Sequence, residues 1–171
     1  MVKVRPFNSV EGRAVPCSRD RVGTKKVLFI CTHNSVRSQM AEGLLNYMFV
    51  DRYQAFSAGV KPGCINPLAI DVMAEIGIDI SHQRSKSIEE IMDDFYDTVV
   101  TVCESARESC PVDPGGAELL HHPFEDPSSF DGTPEEMADK FREVRDKIKE
   151  WLEMAFGPSS PRYLSRPSGI S

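Results

Sequence analysis

The 171-residue sequence contains no uninterrupted apolar run near the roughly 18 residues of a membrane helix, and its N-terminus lacks the apolar stretch of about 7 to 15 residues that secretory signals carry. These absences set aside a membrane-spanning or exported chain, and a cytoplasmic location is expected. A cationic surplus is also missing. The 20 Lys and Arg face 26 Asp and Glu for a formal charge of −6, which does not suit a nucleic-acid-binding body. Cysteine is scarce and odd in number, at positions 17, 31, 64, 103 and 110. Such a set does not make a disulfide framework, and no pair has the C-x2-C spacing that zinc sites favour. Nucleophilic or redox use of thiols is the reading that remains, and no metal site is expected.

The charge that is present is uneven, with seven basic and two acidic side chains in residues 1–26 ahead of an acidic body. The length suits one domain. Residues 1–25 read as a disordered basic extension and 26–157 as a catalytic domain. Residues 158–171, rich in Ser, Pro and Gly, read as a disordered tail.

Within the domain, short apolar runs alternate with helix-period segments, which predicts an α/β fold with a parallel sheet. Val27–Ile30 reads as a central strand buried on both faces, feeding directly into Cys31. Apolar residues at three- and four-residue intervals predict a helix over 38–50, and Gln54–Ala58 reads as a second strand. Asn66-Pro67 opens a helix that Gly77 closes, with Ile70, Met73 and Ile76 toward the core. Ser87 and Glu90 have the spacing of a capping box and predict a short helix. Strands are expected over 98–102, running into Cys103, and over 118–121. Thr133-Pro134-Glu135-Glu136 starts a long amphipathic helix that ends at Gly157. Two strands ending at cysteines place the site at the carboxyl edge of the sheet, where open parallel sheets bind ligands.

Cys31-Thr-His-Asn-Ser-Val-Arg37 is a C-x5-R motif between a strand and a helix start. In that setting the N–H groups of Thr32, His33, Asn34, Ser35, Val36, Arg37 and Ser38 can curl inward, and the helix N-terminus adds positive potential, so the loop cradles a tetrahedral oxyanion. Arg37 offers a guanidinium fork for two oxygens. The same field stabilises a Cys31 thiolate, and Ser38 can donate a hydrogen bond to the sulfur. Adjacent histidines such as His121 and His122 on a strand point to opposite faces, so with His82 they read as structural or surface residues.

The segment VLFICTHNSVRSQMAEG, residues 27–43, resembles the low-molecular-weight protein tyrosine phosphatases and, more closely, the thioredoxin-coupled arsenate reductases of the same fold. The likeness spans about residues 26–156 and implies a three-layer, four-stranded parallel sheet flanked by helices, with the anion loop after the first strand. It implies Asp126, of Asp126-Pro127, as the acid that protonates the departing oxygen, with Glu125 as the alternative. It further implies that Cys103 and Cys110 complete a relay. Cys31 attacks arsenate, Cys103 attacks Cys31 and releases arsenite, and Cys110 resolves the bridge to a Cys103–Cys110 disulfide that thioredoxin or a similar dithiol protein reduces. Cys17 and Cys64 have no place in it. Phosphate and sulfate are implied as analogues, no bound cofactor is needed, and a monomer is expected.

Two positions depart from the family pattern. His33 stands where glycine is usual, so the loop lacks a residue that takes positive φ freely, and Val36 replaces a further loop cysteine. Some relatives hold potassium with side chains matching Asn34, Glu42 and Ser57 plus an acidic residue. Lys86 falls at the acidic position, and its ammonium is expected to stand in for the ion. A phosphatase forming a Cys31 phosphoenzyme is the alternative reading, and a redox-responsive oxyanion-binding module is a second.

Overall fold

The computed structural model describes residues 23–91, 93–109 and 117–164. Its elements, in order, are β1 (Lys25–Cys31), α1 (Arg37–Met48), β2 (Tyr53–Gly59), α2 (Pro67–Ala74), β3 (Thr98–Thr101), α3 (Glu104–Ser109), β4 (Glu118–His121), α4 (Pro134–Phe156) and α5 (Pro161–Leu164). All four strands run parallel in the order β2-β1-β3-β4. The central β1 is covered on both faces, which is why Val27–Ile30 reads as a continuous apolar run. Helices flank the sheet, α4 packing against α1 and α2. Phe156 at the end of α4 meets Phe29 of β1 and Tyr53 of β2 edge-on, at centroid distances of 6.5 and 5.2 Å.

Local signals for helix ends are realised. Asn66 caps α2 by accepting the Leu68 N–H. The helix closes in a Schellman arrangement, with Ile78 N–H on Met73 O, Gly77 N–H on Ala74 O, and Gly77 at φ +79°. Thr133 and Glu136 form a full capping box on α4.

Three expectations need correction. The face that α2 buries is Ala69, Val72 and Met73, with Ile70 partly buried against the core as expected. Ile76, in the closing turn, is exposed. Ser87 and Glu90 exchange both capping-box bonds, yet the described residues that follow form only turns. Tertiary pairing wins there: Gly59 N–H donates to Lys86 O and Ile88 N–H to Gly59 O, which holds the segment extended against the end of β2. Residues 158–164 are ordered on the domain rather than a tail. Ser160 is buried, Tyr163 sits edge-on to Phe49, and the Arg52 guanidinium lies 4.6 Å above the Tyr163 ring. At the other end, Lys25 already belongs to β1. Residues 1–22, with Cys17, and residues 110–116, with Cys110, lie outside the described residues.

Candidate active site

β1 ends at Cys31, and residues 32–36 turn the chain into α1. The outer side of this loop is held by a backbone strap. Val60 N–H donates to Cys31 O, Lys61 to Thr32 O, Gly63 to His33 O and Asn66 to Ser35 O, at 2.8–3.2 Å. In a trans peptide the N–H points opposite to the carbonyl it follows. Carbonyls engaged by the strap therefore turn the N–H groups of residues 32, 33, 34 and 36 inward. Val36 at the N-cap of α1 makes no side-chain cap, so the first-turn donors of that helix face the same concavity. With its carbonyls occupied elsewhere, the loop has the form that an oxyanion cradle requires.

Cys31 is buried, and its Sγ accepts the Asn34 N–H at 3.1 Å with Ser38 Oγ 2.9 Å away. The left-handed residue is Asn34, at φ +50°. Among the described residues it is the one non-glycine residue with positive φ, so His33 keeps an ordinary conformation and the loop does not need glycine there. Asn34 Nδ2 donates to both Ser38 Oγ and Ser57 Oγ, at 2.9 and 2.8 Å, and its Oδ1 accepts from Lys86 N–H and Gln39 Nε2. With both Nδ2 hydrogens spent, the Ser57 hydroxyl donates to Glu42 Oε2, and the Ser38 hydroxyl hydrogen is left available to Cys31 Sγ. This chain sets a serine hydroxyl beside the sulfur that the Asn34 N–H also reaches. At its far end, burial pushes the Glu42 carboxyl above the usual range, opposed by the Lys86 ammonium 3.6 Å away.

Gly59 closes the cradle from below. A Cβ there would fall 2.9 Å from both Asn34 N and Thr32 O, which are backbone atoms that cannot rotate away. Gly59→Ala is expected to displace the loop and weaken oxyanion binding by about 10-fold or more, read as the phosphate dissociation constant in calorimetry. An unchanged constant would show that the loop is held elsewhere.

Arg37 is nearly buried at the start of α1. The sequence offers it as a fork for the anion, but here its terminal nitrogens hold the 124–126 segment: Nη1 donates to Phe124 O at 3.1 Å and Nη2 to Asp126 Oδ2 at 2.7 Å, while Nε has no protein partner. Arg37 thus ties Asp126 to the start of α1, and its buried Nε–H is left without a protein partner. Asp126 Oδ1 also accepts the Ser128 N–H, capping the turn Pro127–Ser129. Glu125 points away, paired with Lys140 at 2.8 Å.

Parallel pairing of Ile30 with Thr101 makes β1 and β3 emerge side by side, so Cys103 lies next to the loop. It is buried, with Sγ 3.4 Å from Thr32 Oγ1. Cys64 is exposed in the 60–66 strap. The histidines diverge: His121 Nδ1 is 2.8 Å from Thr101 Oγ1, and His122 stacks on Trp151 at 4.8 Å, its pKa lowered by burial. Among the described residues no three His, Cys, Asp or Glu side chains cluster to hold a metal ion.

Sequence reasoning missed the strap, the contact made by Gly59, and Gln39, a fully buried polar side chain in the first turn of α1. Backbone-to-backbone bonds leave no side-chain signature. The one hint for Gln39 is its place directly after the C-x5-R-S run.

The low molecular weight phosphotyrosine protein phosphatase family matches residues 26–156. The chain is 44% identical to an arsenate reductase of Halalkalibacterium halodurans, and 42% identical to one of Bacillus subtilis. Each alignment covers 72% of this chain and 89% of the relative. Among solved structures, an arsenate reductase in the phosphate binding state superposes with a TM-score of 0.64 at 36% identity, over 76% of this chain and 95% of that one.

Proposed function

The chain belongs to the low molecular weight phosphotyrosine protein phosphatase family and stands with its arsenate reductases, and from that premise we propose that it reduces arsenate to arsenite through a relay begun by Cys31. The observation that carries the relay is the second buried thiol, Cys103, beside the anion loop at Thr32. Phosphoryl transfer alone would need only the first thiol.

Arsenate enters the cradle of inward N–H groups and engages the Arg37 guanidinium, whose Nε has no protein partner. The Cys31 thiolate attacks arsenic(V), an As–S bond forms, and the leaving oxygen departs as water with the proton carried by Asp126. The Cys103 thiolate then attacks Cys31 Sγ. An S–S bond forms, the As–S bond breaks, and its electron pair stays on arsenic, which leaves as arsenite. Cys110 attacks Cys103 Sγ and returns Cys31 as thiolate, leaving a Cys103–Cys110 disulfide. Two electrons from an external dithiol protein such as thioredoxin close the cycle.

Seven steps of ordered helix would span about 10 Å while a disulfide needs Cα atoms within about 7 Å, so the second bridge calls for a segment that can unwind. α3 suits that demand. It has six residues, and of its described side chains only Ala106 is buried. A helix so short and so lightly anchored is marginal on its own.

The cation some relatives bind does not fit here. Lys86 already sets its ammonium against Glu42, and both side chains are largely buried. Turnover and melting temperature are expected to be the same in sodium and potassium salts, and Lys86→Asp is expected to introduce a potassium-dependent rise in melting temperature. A potassium response in the wild type would contradict this.

The relay is tested by incubating reduced protein with arsenate, thioredoxin, thioredoxin reductase and NADPH, for the wild type and Cys110→Ser. Sustained oxidation of NADPH that drops to at most one cycle in the variant supports it. No arsenate-dependent oxidation, with hydrolysis of a phenyl phosphate retained, supports a phosphatase instead. That second reading draws on the same Cys31, Arg37 and Asp126 geometry, and some hydrolysis is expected because phosphate and arsenate are near isosteres.

A further inference from the structure

We propose that Gln39 is a positioning residue that tunes the nucleophile without touching it, an inference that rests on the reading of Cys31 as the attacking thiolate. Gln39 is wholly buried in the first turn of α1. Its Nε2 lies within hydrogen-bonding distance of three oxygens: Asn34 O and Asn34 Oδ1 at 3.0 Å, and Arg84 O at 3.1 Å. Only the amide NH2 can face three acceptors, so the orientation of the side chain is fixed. The consequence is that Oε1 is buried with no protein donor. Burying an unpaired acceptor is costly, and an apolar side chain of the same length would avoid that cost. What the amide provides must therefore come from Nε2.

Nε2 grips the one described non-glycine residue in the left-handed region, Asn34, by its main-chain and its side-chain oxygen together. Fixing both sets the ψ rotation and the side-chain torsions of Asn34. The Gly63 N–H on His33 O sets the plane of the Asn34 N–H against Cys31 Sγ, and the pose held by Gln39 places Nδ2 on Ser38 Oγ, which lies 2.9 Å from the same sulfur. The third contact, to Arg84 O, holds the segment whose Lys86 N–H is the other donor to Asn34 Oδ1. The Ser38 contact with the sulfur thus depends on a pose that Gln39 maintains, and the Asn34 N–H contact depends on that pose and the strap together.

The test is the pH profile of Cys31 alkylation by iodoacetamide, followed by mass spectrometry of the tryptic peptide 27–37, in which Cys31 is the single cysteine. Gln39→Met preserves length and removes the donors. Its profile is expected to move up by about one pH unit, with the rate near pH 6 falling about tenfold and the alkaline plateau retained. Gln39→Glu, whose carboxylate would face the three oxygens, is expected to shift at least as far. Leu44→Ala serves as the packing control, since Leu44 is fully buried in α1 and makes none of these bonds; it is expected to lower the melting temperature without moving the profile. A wild-type profile in Gln39→Met, or an equal shift in Leu44→Ala, would reduce Gln39 to a space-filler and overturn the proposal. The assay needs neither arsenate nor reductant, so it is independent of the substrate. A wild-type Cys31 that alkylates only in the ordinary thiol range would instead overturn its reading as the nucleophile, and this proposal with it.

Discussion

Replacing Cys103 with serine is expected to abolish catalytic reduction of arsenate while leaving hydrolysis of a phenyl phosphate within about threefold of the wild type. The change is nearly isosteric, and a serine hydroxyl keeps a partner in Thr32 Oγ1, now 3.4 Å from the sulfur. The sheet edge and the anion loop therefore stay in place, as does every group that holds a tetrahedral anion. What is lost is the attack on Cys31 Sγ, because a neutral hydroxyl is not a nucleophile toward sulfur at neutral pH. The enzyme is then expected to stop at the Cys31 adduct. Two assays on one preparation decide the matter: NADPH oxidation in the thioredoxin system and release of phenol. Persisting reduction would remove Cys103 from the relay. Joint loss of both activities would mean that Cys103 builds the loop rather than the redox step.

The separation of these activities follows from how the site is distributed over the chain, and that distribution also decides how much was legible. The C-x5-R run, the strand before it and the helix after it are contiguous in sequence, so the cradle could be read from 17 residues, 27–43. Asp126 and Cys103 come from other elements, and their adjacency depends on the strand order β2-β1-β3-β4, which no local pattern states. The misreadings share one cause. Ser87 and Glu90 carry a true capping box, but pairing with Gly59 had already committed the backbone around it. Composition made 158–171 look featureless, yet within its described part, 158–164, the Tyr163 ring meets Phe49 and Arg52. Local signals were correct as chemistry and were outvoted by partners distant in sequence.

Arg37→Lys is expected to lower kcat/KM for arsenate and for a phosphate ester alike, by about 10²–10³. Charge is conserved in this change, so a purely electrostatic role would predict little loss. Geometry predicts otherwise. The guanidinium holds Phe124 O and Asp126 Oδ2 with separate nitrogens and still has Nε–H to offer, and a single ammonium on a flexible stem cannot fill three places. The variant should lose its grip on the 124–126 segment, and with it the placement of the acid. That loss has its own readout, because the chain has one tryptophan, Trp151, which stacks on His122 and meets Phe124 edge-on at 5.9 Å. Its fluorescence reports on the segment that Arg37 restrains. In the wild type, added arsenate or phosphate is expected to engage Arg37 and to change the Trp151 emission saturably. In Arg37→Lys that response should vanish, and the unliganded spectrum should already differ from the wild type. An emission change of normal amplitude, merely shifted to higher anion concentration, would show that Arg37 binds the anion without governing Asp126.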